Sequence, residues 1–173
     1  MYTFTTFISK RIAEQVGFND KSLETVLISL NSPPAVTPGS SHPKIIEAAW
    51  SKILRQEFHD ADGSGRSIDS RISSVVENSQ LSLFTEEHAA EILRFLRAHQ
   101  DDHSHAIVHC EGGISRSAAV SKFIAQIYNL EFPESYSLYN RHVYSTLMRV
   151  HGSSLYGEGP LKPEELPGYT QLK

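Results

Sequence analysis

A chain of 173 residues, 39% apolar and 21% charged, is one domain's worth of sequence and can bury a substantial core. A net charge of -4 excludes the general attraction to nucleic acid or anionic membrane that a basic chain has, and a single cysteine excludes an internal disulfide. No apolar stretch is long enough to span a bilayer and the N-terminus lacks a signal-type apolar core, so a cytoplasmic monomer is expected, with neither nucleic acid nor membrane as partner.

Residues 2–8 are β-branched and aromatic and read as a strand. Ser9 is placed to cap a short helix over 9–16, with Ile12, Ala13 and Val16 on one face. The continuous apolar run 25–30 predicts a strand buried on both faces. Breakers follow at 31–34 and 38–41; Pro43, Ile45, Ile46, Ala48 and Ala49 then predict a helix to about Lys52. Residues 53–58 alternate imperfectly and form a weaker strand candidate.

The stretch 59–67 has two glycines and no apolar periodicity, and is read as a loop. Its aspartates do not make a calcium loop, because the twelfth position is Arg71 counted from Asp60 and Ser73 counted from Asp62, where a glutamate is needed. Residues 68–83 fit a helical face only loosely and stay unassigned. Thr85 caps the clearest helix, whose first turn holds Glu86 and Glu87 and whose buried stripe is Ala89, Ile92, Leu93 and Leu96. Asp101, Asp102, His103 and His105 lack a spacing that would converge on one metal ion and are read as a solvated connector. After residue 115 comes a helix apolar on more than one face, and after Pro133 a helix over 136–150 carrying Leu138, Tyr139, Val143, Leu147 and Val150. Glycines and prolines mark 152–173 as an irregular tail to a single domain over 1–151. The alternation of strands and helices predicts a three-layer α/β fold, a central mostly parallel sheet with helices on both faces.

Chemistry concentrates in Ala106-Ile107-Val108-His109-Cys110-Glu111-Gly112-Gly113-Ile114-Ser115-Arg116-Ser117. An apolar strand runs into a loop, and the loop into a helix N-terminus, where unsatisfied N–H groups and the macrodipole favour an anion. Gly112 and Gly113 permit positive φ, so that several N–H groups can point into one concavity. Arg116 adds a planar fork matched to two oxygens of a tetrahedral oxyanion. The same field favours Cys110 as a thiolate, the nucleophilic form.

His109-Cys110, five residues, then Arg116-Ser117 resembles the H-C-x5-R-S/T loop of the cysteine-dependent protein tyrosine and dual-specificity phosphatases. The match is specific over 109–117 and extends in layout over 25–150, as in a compact member of prokaryotic or phage type. The resemblance implies a dual-specificity-phosphatase-like fold and hydrolysis of phosphate monoesters through a phosphocysteine, with no metal or cofactor. Cys110 would be the nucleophile, and residues Glu111, Gly112, Gly113, Ile114, Ser115 and Arg116 would bind the phosphate. Ser117 would donate to the departing sulfur, and His109 would orient the loop. The family's general acid is an aspartate after an upstream strand; Asp60 stands in that context, Asp62 is second choice and Glu77 third. Asp60 lies fifty residues before Cys110, farther than in the family pattern, whereas Glu77 stands nearer the usual distance. Asn140 loosely resembles an asparagine in the later helices of the dual-specificity branch.

Phosphoinositide-preferring loops of the family carry lysines where this chain has Glu111 and Ile114, so a phosphorylated protein or peptide is the expected substrate. Phosphotyrosine comes first, with phosphoserine or phosphothreonine as a further possibility. The alternatives are a non-catalytic phosphopeptide-binding module and a rhodanese-like sulfurtransferase, against which the five-residue spacing and Arg116-Ser117 weigh.

Overall fold

The computed structural model describes residues 1–15, 24–33, 44–64 and 81–156. Its elements in order are β1 (Phe4–Ser9), α1 (Lys10–Gln15), β2 (Thr25–Asn31), a 3-10 turn (Glu47–Ala49), β3 (Lys52–Glu57), α2 (Glu86–His99), β4 (His105–Cys110), α3 (Arg116–Tyr128) and α4 (Arg141–Tyr156). The four strands form one sheet in the order β1-β4-β2-β3, and every pairing is parallel. Parallel strands need both faces covered, which explains why every residue of β2 is buried.

Strand periodicity sorts the core into two layers. Val26, Ile28, Leu30, Leu54, Ala106, Val108 and Cys110 face one way, onto Ile92 and Leu96 of α2, Val120 and Phe123 of α3 and Leu147 of α4. Their neighbours Leu27, Ile53 and Ile107 face the other way, onto Ala13 of α1 and onto Ile45, Ala49 and Trp50. The fold is therefore the expected three-layer α/β arrangement, with a large helical layer on one face and a small one on the other. All strands point their carboxyl ends to the same edge, where open α/β sheets place their sites.

Local signals account for several boundaries. Ser9 Oγ accepts from the Ile12 N–H at 3.3 Å and caps α1, although Ile12 itself is exposed rather than buried with Ala13. The expected stripe of α2 is buried in full. α3 buries Arg116 and Ser117 as well as its apolar residues, and it ends on Asn129 in the left-handed region at φ 54°.

Elsewhere the structure corrects the sequence reading. Of the helix expected from Pro43 to Lys52, the described residues from 44 on form only the 3-10 turn Glu47–Ala49. Burial of Ile45, Ala49 and Trp50 against Leu27, with the Ser51 N–H bound to the Thr25 carbonyl at 3.1 Å, requires the chain to be extended from Trp50 on. The helix expected over 136–150 starts at Arg141, because Asn140 caps it, its Oδ1 accepting from the Val143 N–H at 3.1 Å. That helix continues to Tyr156, so residues 152–156 of the expected tail are helical. Val16, Pro34, the breakers over 38–41, Pro43, residues 65–67 of the expected loop, residues 68–80 of the unassigned stretch with Glu77, and the tail beyond 156 lie outside the described residues. No helix among the described residues is long and apolar enough to cross a membrane.

Candidate active site

Cys110 is the last residue of β4 and Arg116 the first of α3, so the loop between them lies at the carboxyl edge of the sheet, as the sequence pattern requires. Glycine use in the loop is narrower than expected. Only Gly113 has positive φ, at +66°, and a Cβ there would sit 2.4 Å from the Ser9 nitrogen and 2.6 Å from the Ile8 carbonyl carbon. Gly113 is thus fixed twice, by its backbone conformation and by the close approach of β1. Gly112 is different: a Cβ would meet only the Ile114 side chain, at 3.7 Å.

Three loop carbonyls are held from outside. Glu111 O accepts from the Lys10 N–H at 3.3 Å, Ile114 O from the Tyr136 hydroxyl at 2.7 Å, and Ser115 O from the Asn140 N–H at 3.1 Å. In a planar trans peptide the next N–H points opposite to the carbonyl. The N–H groups of Gly112, Ser115 and Arg116 are therefore turned away from Lys10, Tyr136 and Asn140. That is the geometry of an anion nest at a helix N-terminus.

Inside this loop Cys110 is buried, with Sγ 3.1 Å from Ser117 Oγ. Arg116 is buried too: its Nη1 donates to the Phe58 carbonyl at 2.6 Å, and the guanidinium carbon lies 5.8 Å from the Phe58 ring centroid. Its Nε is buried without a hydrogen-bond partner among the described residues. A buried donor left open costs stability unless a ligand fills it, so the Nε edge is the one available to an oxyanion.

His109 lies under the loop on the opposite face of the sheet. Its Nε2 is 2.7 Å from Ser29 Oγ, and that oxygen accepts from Asn31 Nδ2 at 3.1 Å. Burial first, and Arg116 second against a backbone contact with Cys110, lower its pKa to about 4, so it is neutral at pH 7. It buttresses the nest and brings no charge into it.

Two of the three acid candidates, Asp60 and Asp62, lie in the described residues and hold different partners. Asp60 follows β3, and its Oδ1 accepts from Ser115 Oγ at 2.8 Å and from Asn140 Nδ2 at 2.8 Å, so it stands against the loop. Both bonds fall on Oδ1. Asp62 instead accepts from the Ser64 N–H and hydroxyl at 3.0 and 2.6 Å, a local turn. Asn140 joins the parts: its backbone N–H holds Ser115, its amide holds Asp60 and the Ala61 carbonyl, and its Oδ1 caps α4. Sequence reasoning noted Asn140 only as a loose resemblance and missed Tyr136 and the Phe58 carbonyl, for which no local pattern gives a signal. In the connector before β4, His103 is engaged with Ser51 Oγ at 2.7 Å and with the His99 carbonyl at 3.0 Å.

No protein-family model and no curated protein matches the chain. Among solved structures it is similar to Tk-PTP in the active form, with 15% identity and a TM-score of 0.42 over 86% of this chain and 79% of the other. It is also similar to PTPMT1, with 17% identity and a TM-score of 0.47 over 86% of this chain and 87% of the other.

Proposed function

We propose that this chain is a cysteine-dependent phosphatase of the protein tyrosine and dual-specificity type, acting on phosphorylated protein or peptide through a phosphocysteine. One observation carries the proposal: the buried Cys110 sulfur and the open Nε edge of the buried Arg116 share one loop at the N-terminus of α3.

The Cys110 thiolate attacks phosphorus, the S–P bond forms and the P–O bond to the leaving group breaks. The N–H groups of Gly112, Ser115 and Arg116, with Arg116 Nε, hold the non-bridging oxygens. Asp60 gives its proton to the leaving oxygen, then takes one from the water that attacks the phosphocysteine. As the S–P bond breaks, the Ser117 hydroxyl, 3.1 Å away, stabilises the returning thiolate. The rim favours an aromatic monoester: Ile114 is 50% exposed and Tyr136 stands beside it, while the exposed Glu111 disfavours additional phosphates. Phosphotyrosine is therefore the first substrate class, and phosphoserine or phosphothreonine the second.

The test is p-nitrophenyl phosphate hydrolysis by wild-type and Cys110→Ser protein, with thiocyanate formation from thiosulfate and cyanide measured alongside. Phosphate release that disappears in Cys110→Ser, with vanadate still bound, supports the phosphatase. Phosphopeptide binding without turnover would make the chain a recognition module, and thiocyanate formation would make it a sulfurtransferase.

A further inference from the structure

Phe58, His59 and Asp60 each hold a different part of the site. The Phe58 carbonyl takes Arg116 Nη1, and the Asp60 carboxylate takes Ser115 and Asn140. His59, between them, bonds to Ser82. Its backbone N–H donates to the Ser82 carbonyl at 2.8 Å, and its ring Nδ1 accepts from the Ser82 N–H at 3.0 Å. One residue thus satisfies both backbone groups of Ser82, and the imidazole is 1% exposed.

Because Nδ1 is an acceptor, the proton of the neutral ring is on Nε2, and Nε2 is buried with no partner among the described residues. Leaving a buried N–H unsatisfied is costly, and a residue that served only to fill space would carry no such group. From Ala61 to Ser64 the acid-bearing segment is irregular, held by Asn140 at the Ala61 carbonyl and by its own Asp62–Ser64 turn. The two hydrogen bonds to Ser82 tie it to the segment leading into α2, beside the packing of Phe58 on Phe84 and His88.

We infer that His59 is a positioning residue: its two-point clamp on Ser82 fixes the strand end so that Asp60 faces the leaving group and Phe58 orients Arg116. The inference rests on the phosphatase reading, with Asp60 as the acid. A misplaced acid costs most where the leaving group needs its proton, so the signature is leaving-group selectivity rather than general loss.

The experiment compares kcat on phenyl phosphate and on p-nitrophenyl phosphate for four variants. His59→Leu removes the ring acceptor, and Ser82→Pro removes the donor N–H at an exposed position while keeping the carbonyl. His59→Asn returns an acceptor near Nδ1, and Asp60→Asn is the reference. His59→Leu and Ser82→Pro are expected to lose at least about tenfold more activity on phenyl phosphate than on p-nitrophenyl phosphate, with His59→Asn recovering most of it. Should His59→Leu fail to fold, Ser82→Pro carries the test. Equal losses on both substrates in Ser82→Pro, beside a selective loss in Asp60→Asn, overturn the clamp and leave the phosphatase reading standing. Equal losses in Asp60→Asn overturn the acid and the clamp together, while Cys110→Ser reports separately on the nucleophile.

Discussion

Single atoms at this site make separable predictions. Arg116 has Nη1 committed to the Phe58 carbonyl and Nε open, so the guanidinium plane is set before any ligand arrives. Lysine cannot hold a backbone carbonyl and present a fork at once. Arg116→Lys is expected to lower kcat/KM on p-nitrophenyl phosphate by about a hundredfold or more, in line with the loss of an oxyanion donor. A loss under about threefold would remove Arg116 from the phosphate site. The acid is tested by comparing Asp60→Asn, Asp62→Asn and Glu77→Gln. General acid catalysis is worth about a hundredfold to ten-thousandfold when the leaving oxygen needs a proton. Asp60→Asn should show that loss on phenyl phosphate and much less on p-nitrophenyl phosphate, and Asp62→Asn should show neither, since Asp62 serves its own turn with Ser64. Selective loss in either of the other two variants transfers the role.

At the level of elements, the loop between β4 and α3 is held by how tightly it lies on β1. Gly113→Ala would put a methyl 2.4 Å from the Ser9 nitrogen in a left-handed backbone conformation, and no flexible side chain is there to yield. Left-handed φ alone costs about 1–2 kcal/mol, and displacing the β1 backbone adds to it. Gly113→Ala should therefore lower stability by more than about 2 kcal/mol and disturb the nest, while Gly112→Ala changes stability by under about 1 kcal/mol. Urea unfolding of both variants beside vanadate affinity checks this, and equal effects would contradict the geometry. The sequence marked the pair of glycines but not which of them turns left-handed, because that depends on β1, about a hundred residues upstream in the chain. The same division runs through the other elements. β2, α2 and the strand-loop-helix around Cys110 were legible because their signals are local: an apolar run, a capped stripe, a motif. The helix expected after Pro43 failed because burial of Trp50 and pairing of β3 with β2 override a short apolar pattern. The start of α4 was misjudged because Asn140 is both its cap and a partner of Asp60, and the second tie, across 80 residues, has no periodicity to betray it.

For the molecule as a whole, the histidines set the response to acid. Burial pushes the pKa of His59, His88, His99, His109 and His151 below the ordinary 6.5, and His109 reaches about 4. In the unfolded chain each takes up a proton near 6.5, whereas the folded protein resists it until a lower pH. The unfolded state therefore binds more protons in that window, and stability falls as pH falls. The contribution is complete above about pH 6.5 and, for His109, is lost progressively down to about 4. His109 alone accounts for roughly 3 kcal/mol across that span, a large share of a typical domain's stability. Its ring is bonded to Ser29 and is adjacent in the chain to Cys110, so its protonation acts on the start of the loop as well as on the core. Urea midpoints should drop steeply between about pH 7 and pH 5, and vanadate affinity should drop with them. In His109→Asn, which keeps a polar group of similar reach but cannot titrate, the unfolding free energy should lose about one proton's worth of that pH slope. An unchanged slope in the variant would mean that His109 titrates alike in the folded and unfolded chain, and the neutral buttress beneath Cys110 would have to be abandoned.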